Sequence, residues 1–173
     1  MIEKIKNCRK CKLCKNQEPL LDKKNKCDIM WVGLSAKKVD DVNKNYPLEN
    51  NTSSGKLIEE IEKKRDDLTF YKTNLVKCLP LNEERKLRYP TENEMEMCIK
   101  NLLMEIRELK PRVVFLLGNN VSKFVIKYCK KNSIKVDAKV LNIEHPSYIC
   151  VYKRKNKDAY IKKITDEIER EEL

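Results

Sequence analysis

Val113-Val114-Phe115-Leu116-Leu117 is an unbroken apolar run closed by Gly118. A strand with one face in water alternates apolar and polar residues. One that is apolar throughout is buried on both faces, the condition of a parallel sheet covered by helices on each side. Asp28-Ile29-Met30-Trp31-Val32, ending at Gly33, and Phe70 to Val76 read as two further strands, and Ala138 to Ile143 as the fourth. Helical patterns lie between them. One starts at Ser54, read as its cap, with Leu57, Ile58 and Ile61 on one face; a longer one is capped by Thr91 and runs to about Leu109. A third covers about Asn120 to Lys131, and an amphipathic helix begins near Lys157. Strands separated by helices predict a three-layer α/β/α fold around a four-stranded parallel sheet, in one domain spanning residues 1–173.

Open sheets of this kind keep their ligand crevices at the carboxyl ends of the strands. The first strand ends in Gly33-Leu34-Ser35, the second carries Thr73-Asn74-Leu75-Val76-Lys77-Cys78, and the fourth leads into His145-Pro146-Ser147-Tyr148. His145 is the only histidine in the chain. Pro146 is expected to stop the strand in a turn. Backbone N–H groups of a glycine-led loop, the Asn74 amide and the His145 ring N–H together can read the edge of a pyrimidine and stabilise negative charge on a carbonyl oxygen. Residues 34–53 form a long polar loop, and loops of that length are usually functional.

Lys and Arg number 38 against 27 Asp and Glu, a formal net charge of +11. Such an excess suits a polyanionic partner. No apolar run approaches the roughly 18 residues that span a bilayer, and Met1 to Lys6 holds no apolar signal core. A cytoplasmic protein that avoids membranes is expected. Eight cysteines in that compartment point to metal before disulfides. Residues 1–26, polar and Lys-rich, need a metal or docking to become ordered. Cysteine spacing alone admits a zinc site from Cys8, Cys11, Cys14 and Cys27.

In order along the chain come Cys8-x2-Cys11, Gly33 after a strand, Thr73-Asn74-Leu75-Val76-Lys77-Cys78, Pro90-Thr91 leading through Glu94 to Cys98, Leu117-Gly118, and His145-Pro146-Ser147-Tyr148. This ordered set resembles the uracil-DNA glycosylase superfamily, in particular its iron–sulfur-containing families 4 and 5. The resemblance implies a [4Fe-4S] cluster on Cys8, Cys11, Cys78 and Cys98, with Cys14 as the nearest substitute ligand. That cluster would tie residues 1–26 to the rest. It implies excision of uracil or another deaminated base from DNA by a monomer. His145 would stabilise the departing base, Asn74 would read it, and Gly33, Leu34 and Ser35 would line its pocket. Ser147 and the loop through Ile149 to Arg154 would meet the minor groove, with Lys153, Arg154 and Lys155 on DNA phosphates.

The first motif departs from the family. Leu34 stands where family 4 has an acid, although family 5 also has leucine there, and Lys37 replaces a glycine. Asp40 aligns with a later acidic position and is the candidate for orienting the attacking water. Tyr46-Pro47-Leu48 falls where the family carries a stacking ring, so either Tyr46 takes over stacking or Leu48 leaves a looser pocket. These departures keep a second expectation open, a catalytically impaired glycosylase-fold protein that binds nucleic acid or serves in a larger assembly.

Overall fold

The computed structural model describes residues 1–171. Its centre is a four-stranded, all-parallel sheet of β1 (Ile29–Ser35), β2 (Phe70–Val76), β3 (Val113–Leu117) and β4 (Lys139–Ile143), in the order β2-β1-β3-β4. The helices are α1 (Ile2–Lys6), α2 (Ser53–Glu62), α3 (Glu92–Leu109), α4 (Asn119–Lys131), α5 (Pro146–Tyr152) and α6 (Lys157–Glu169). The expected three-layer fold is present.

Alternate residues of each central strand feed opposite cores. Met30, Val32, Val114 and Leu116 pack with Ile99 and Leu102 of α3 and Val121 and Val125 of α4. Ile29, Trp31, Val113 and Phe115 pack with Leu57, Ile58 and Ile61 of α2 and Ile161, Ile164 and Ile168 of α6. Burial on both faces is why β3 contains no polar residue. Trp31 lies between Phe115 and Phe70, with ring centroids 4.8 and 6.3 Å away, and its indole N–H donates to Glu62 at 3.0 Å.

From β1 the chain first steps to β2 on one side. It then crosses to β3 and β4 on the other, so the connections diverge between β1 and β3. A crevice opens at such a switch point. β2 is an edge strand, and residues 20–24 cover it. Leu20 N–H donates to Lys77 O (2.8 Å), the Asp22 carboxylate accepts from Lys72 N–H (3.0 Å), and the Lys24 ammonium reaches Phe70 O (2.8 Å). An edge otherwise open to strand addition is thereby closed.

Three local expectations need correction. The cap of α2 is Thr52, whose hydroxyl accepts from Gly55 N–H at 3.1 Å, and Ser54 lies inside the helix. β1 continues through Gly33 to Ser35, because Gly33 pairs with Asn74 and Ser35 with Val76. Pro146 opens a helix instead of a turn. It occupies the first position of α5, where a missing N–H costs nothing, and His145 is the N-cap. The stretch expected as a loop from Ile149 to Arg154 is therefore the end of α5 and the start of a short 3₁₀ turn.

Candidate active site and cysteine cleft

A cleft of about 580 Å³ lies over the carboxyl ends of the strands. β1 contributes Gly33, Leu34 and Ser35, β2 contributes Asn74, and β3 ends there in Leu117-Gly118. His145 and Ser147 come from the β4–α5 junction, and Leu48 from the long loop.

Close backbone approach is built in at two glycines. A Cβ on Gly33 would run into Asn74 Oδ1, so the Asn74 side chain lies directly across the glycine of the neighbouring strand. Gly118 has φ +92°, and a Cβ there would sit 3.2 Å from the Cβ of His145. Beneath Asn74, the fully buried Lys77 ammonium donates to Asn74 O and to Thr73 Oγ1, both at 2.6 Å, and pairs with Glu105 of α3. Tyr71 and Thr73 also donate to Glu105 at 3.0 Å. The backbone that carries Asn74 is thus held by a charge network reaching into the helix layer.

His145 is half-buried, and burial pushes its pKa below the usual 6.5. Its Nδ1 accepts from Ser147 N–H at 3.1 Å and lies 2.7 Å from Ser147 Oγ. A ring nitrogen that accepts from a backbone N–H carries no proton, which assigns the hydrogen to Nε2. The imidazole is therefore a neutral Nε2–H donor. Tyr160 of α6 steadies the turn by donating to Glu144 O at 2.6 Å.

The long loop is organised by buried Glu49. Its carboxylate accepts from the Asn45 and Asn51 amides and from Tyr46 N–H, all at 3.1 Å, and pairs with Lys37 at 3.7 Å. Gly55 has no room for a Cβ against Glu49 O, which locks the loop to the start of α2. The outcome places Leu48, with φ 55°, in the cleft. Tyr46 lies off the lining, with the Lys72 ammonium 5.8 Å from its ring. Asp40 is exposed and also off the lining. Lys153 pairs with Glu144 at 2.7 Å, the Arg154 guanidinium donates to Cys150 O at 2.7 Å, and Lys155 is exposed.

Residue patterns did not single out Leu87, Arg88, Tyr89, Asn119 or Asn120, all of which line the cleft. The β2–α3 loop folds back over the rim through an antiparallel bridge between Leu81 and Leu87. Arg88 pins it by a two-point pair with Glu94 at 2.7 and 2.8 Å. The available signal was Leu87 and Tyr89, two large side chains following the charged run Glu83 to Lys86.

Behind the β2 end, Cys8, Cys11, Cys14, Cys78 and Cys98 line one small cleft. Cys98 Sγ accepts from Lys77 N–H at 3.4 Å and from the Asn101 amide at 3.9 Å, whereas the Cys14 thiol donates to Cys11 O at 3.1 Å. Burial and the neighbouring sulfurs raise the Cys78 thiol pKa. Cys27 lies off this cleft, its thiol pushed up to about 12 by burial. Among the described residues no three His, Cys, Asp or Glu side chains form a ready single-ion site. The thiols ring a space.

Strand order β2-β1-β3-β4 and a switch-point cleft lined by the Asn74 amide and the His145 imidazole define the class to which the chain belongs. The chain belongs to the uracil DNA glycosylase superfamily, whose family model matches residues 17–169. It is 30% identical over 131 residues to a type-4 uracil-DNA glycosylase of Archaeoglobus fulgidus, covering 72% of this chain and 61% of that protein. It is 28% identical over 165 residues to the type-4 uracil-DNA glycosylase of Sulfurisphaera tokodaii, covering 89% and 69%. The chain thus spans about two thirds of the length of these relatives. Among solved structures, Pedobacter heparinus SMUG2 superposes with a TM-score of 0.60 at 17% identity, over 84% of this chain and 76% of that one, a likeness of fold.

Proposed function

We propose that this protein excises uracil, or another deaminated base, from DNA by hydrolysing the N-glycosidic bond. The observation that carries this reading is the neutral Nε2–H of His145 in the same cleft as Asn74. An enzyme acting on a base takes the nucleotide out of the stack and into a pocket. There the Asn74 amide can donate to a ring carbonyl and accept from a ring N–H, the pattern that uracil presents and cytosine does not. The bond between C1′ and N1 breaks with its electrons on the base. The developing charge on a ring oxygen is met by the His145 N–H, a donor already in place before the reaction. Water then adds to C1′, giving an abasic sugar and the free base. Leu48 and Leu117 supply apolar walls that restrict solvent.

The cysteine cleft supports a [4Fe-4S] cluster held by Cys8, Cys11, Cys78 and Cys98. The cleft gathers all four of these cysteines, whereas Cys27, which the zinc alternative needs, lies off it. When bound, such a cluster would serve here as a structural staple between residues 1–18, the end of β2 and α3. Binding of DNA without excision is favoured by one observation: among the described residues no carboxylate lines the cleft to orient water. Incubation with single- and double-stranded oligonucleotides containing uracil, hypoxanthine or xanthine, followed by alkali, decides between them. Strand scission at the modified base is expected. Tight binding with no scission on any of the three would leave only the binding reading.

A further inference from the structure

Exposed rings lie at the cleft and on the helix that leads away from it. On one lip, Leu87 and Tyr89 are 62% and 74% exposed. The loop that presents them is held by the Leu81–Leu87 bridge and by Arg88 on Glu94, Leu81 O and Tyr89 O. Helix α5 starts at Pro146, between cleft residues His145 and Ser147, and carries Tyr148 and Tyr152 one turn apart. Their ring centroids are 5.3 Å apart, and Tyr152 is 75% exposed. Lys153 lies 5.2 Å from the Tyr148 ring, and exposed Arg154 and Lys155 follow directly.

Rings left in water beside a basic run are the components of a single-strand site, where bases stack on aromatics and cations track the backbone. Every base of a single strand can offer a face to such rings, whereas in a duplex only the two faces freed by extrusion are open. Resting on the reading of DNA as substrate, we propose that Tyr89 and the Tyr148–Tyr152 pair are stacking platforms for the bases on either side of the extruded nucleotide. The preferred substrate is single-stranded DNA. Tyr89 and Tyr152 are also well exposed, so their replacement leaves the core intact.

The test is fluorescence anisotropy of the intact protein on an undamaged thymidine oligonucleotide and on its duplex at fixed salt, a measurement independent of base excision. Tighter binding to the single strand is expected. Tyr89→Ala and Tyr152→Ala should each weaken it by about 5- to 100-fold, while Tyr152→Phe keeps it. Because a ring neutralises no phosphate, the dependence of affinity on salt should keep its slope in these variants. Equal affinity for the two forms, or alanine variants that bind the single strand like the wild type, would overturn the proposal. The two readings fail separately: a wild type that excises no base yet keeps the single-strand preference and its dependence on Tyr89 and Tyr152 would sink only the excision reading.

Discussion

Protonating His145 would break its hydrogen bond with Ser147 N–H and place a charge in a half-buried site. Burial lowers its pKa, so the unfolded chain binds the proton more readily than the folded one. The stability this group contributes is complete above the unfolded value of about 6.5. It is lost as pH falls through the lower folded value. Denaturant midpoints measured from pH 7.5 to 5 should therefore fall on acidification, and less so in His145→Gln. Gly33 makes a second definite case, because any Cβ there meets Asn74 Oδ1. Gly33→Ala should displace the amide and cut base excision by at least about 100-fold, since catalytic groups tolerate little misplacement. The protein should stay folded, at a cost of about 1–3 kcal/mol by chemical denaturation. Neither effect is visible in a sequence motif. The motif names glycine and asparagine, and only strand register shows that one exists for the other.

The tie between β2 and α3 depends on Lys77 and Glu105, both fully buried. Removing one member of a buried pair strands the other charge, so Lys77→Met should cost about 3–5 kcal/mol in urea unfolding. Lys77→Met with Glu105→Leu should recover part of that loss, because no uncompensated charge remains. Strands and long helices were legible in the sequence for physical reasons. Phe70–Val76 and Val113–Leu117 are bounded as expected: β3 is an apolar run ended by glycine, and β2 is buried along its length although Lys72, Thr73 and Asn74 interrupt its apolar residues. Thr91 with Glu94 forms the anticipated capping box on α3. α5 was missed because seven residues hold too few turns to show periodicity, and a proline after a strand looks the same whether it ends an element or begins one. The paths of Asp40 and Tyr46 were not legible either. They depend on the Glu49 hub, whose partners act through hydrogen bonds that carry no hydrophobic pattern.

Across the molecule, residues 20–24 lie along β2 through hydrogen bonds, and Leu13 is buried in the core while Asn16 and Gln17 bond Leu79 O, Lys37 O and Val39 N–H. Cys8 and Cys11 meet Cys78 and Cys98 at the cysteine cleft. If a cluster staples that cleft, its oxidative removal with a chelator should raise trypsin cleavage at Arg9 to Lys15 and leave cleavage at Lys23 to Lys26 unchanged. Mass spectrometry of the fragments reads this directly, and cleavage spread evenly over both stretches would argue against the staple. Helices at both faces position all four strand ends at one rim, so cleft, aromatic lips and basic run share one side of the sheet. The central claim is that His145 stabilises a departing base there. It is tested most directly by the single-turnover rate of free uracil release from a uracil-containing oligonucleotide, for wild type and His145→Ala at matched occupancy. Release by the wild type and a loss of about 100- to 1,000-fold in the variant, the range for removing one such donor, is the predicted result. A variant that releases uracil as fast as the wild type, or a wild type that releases none, would contradict it.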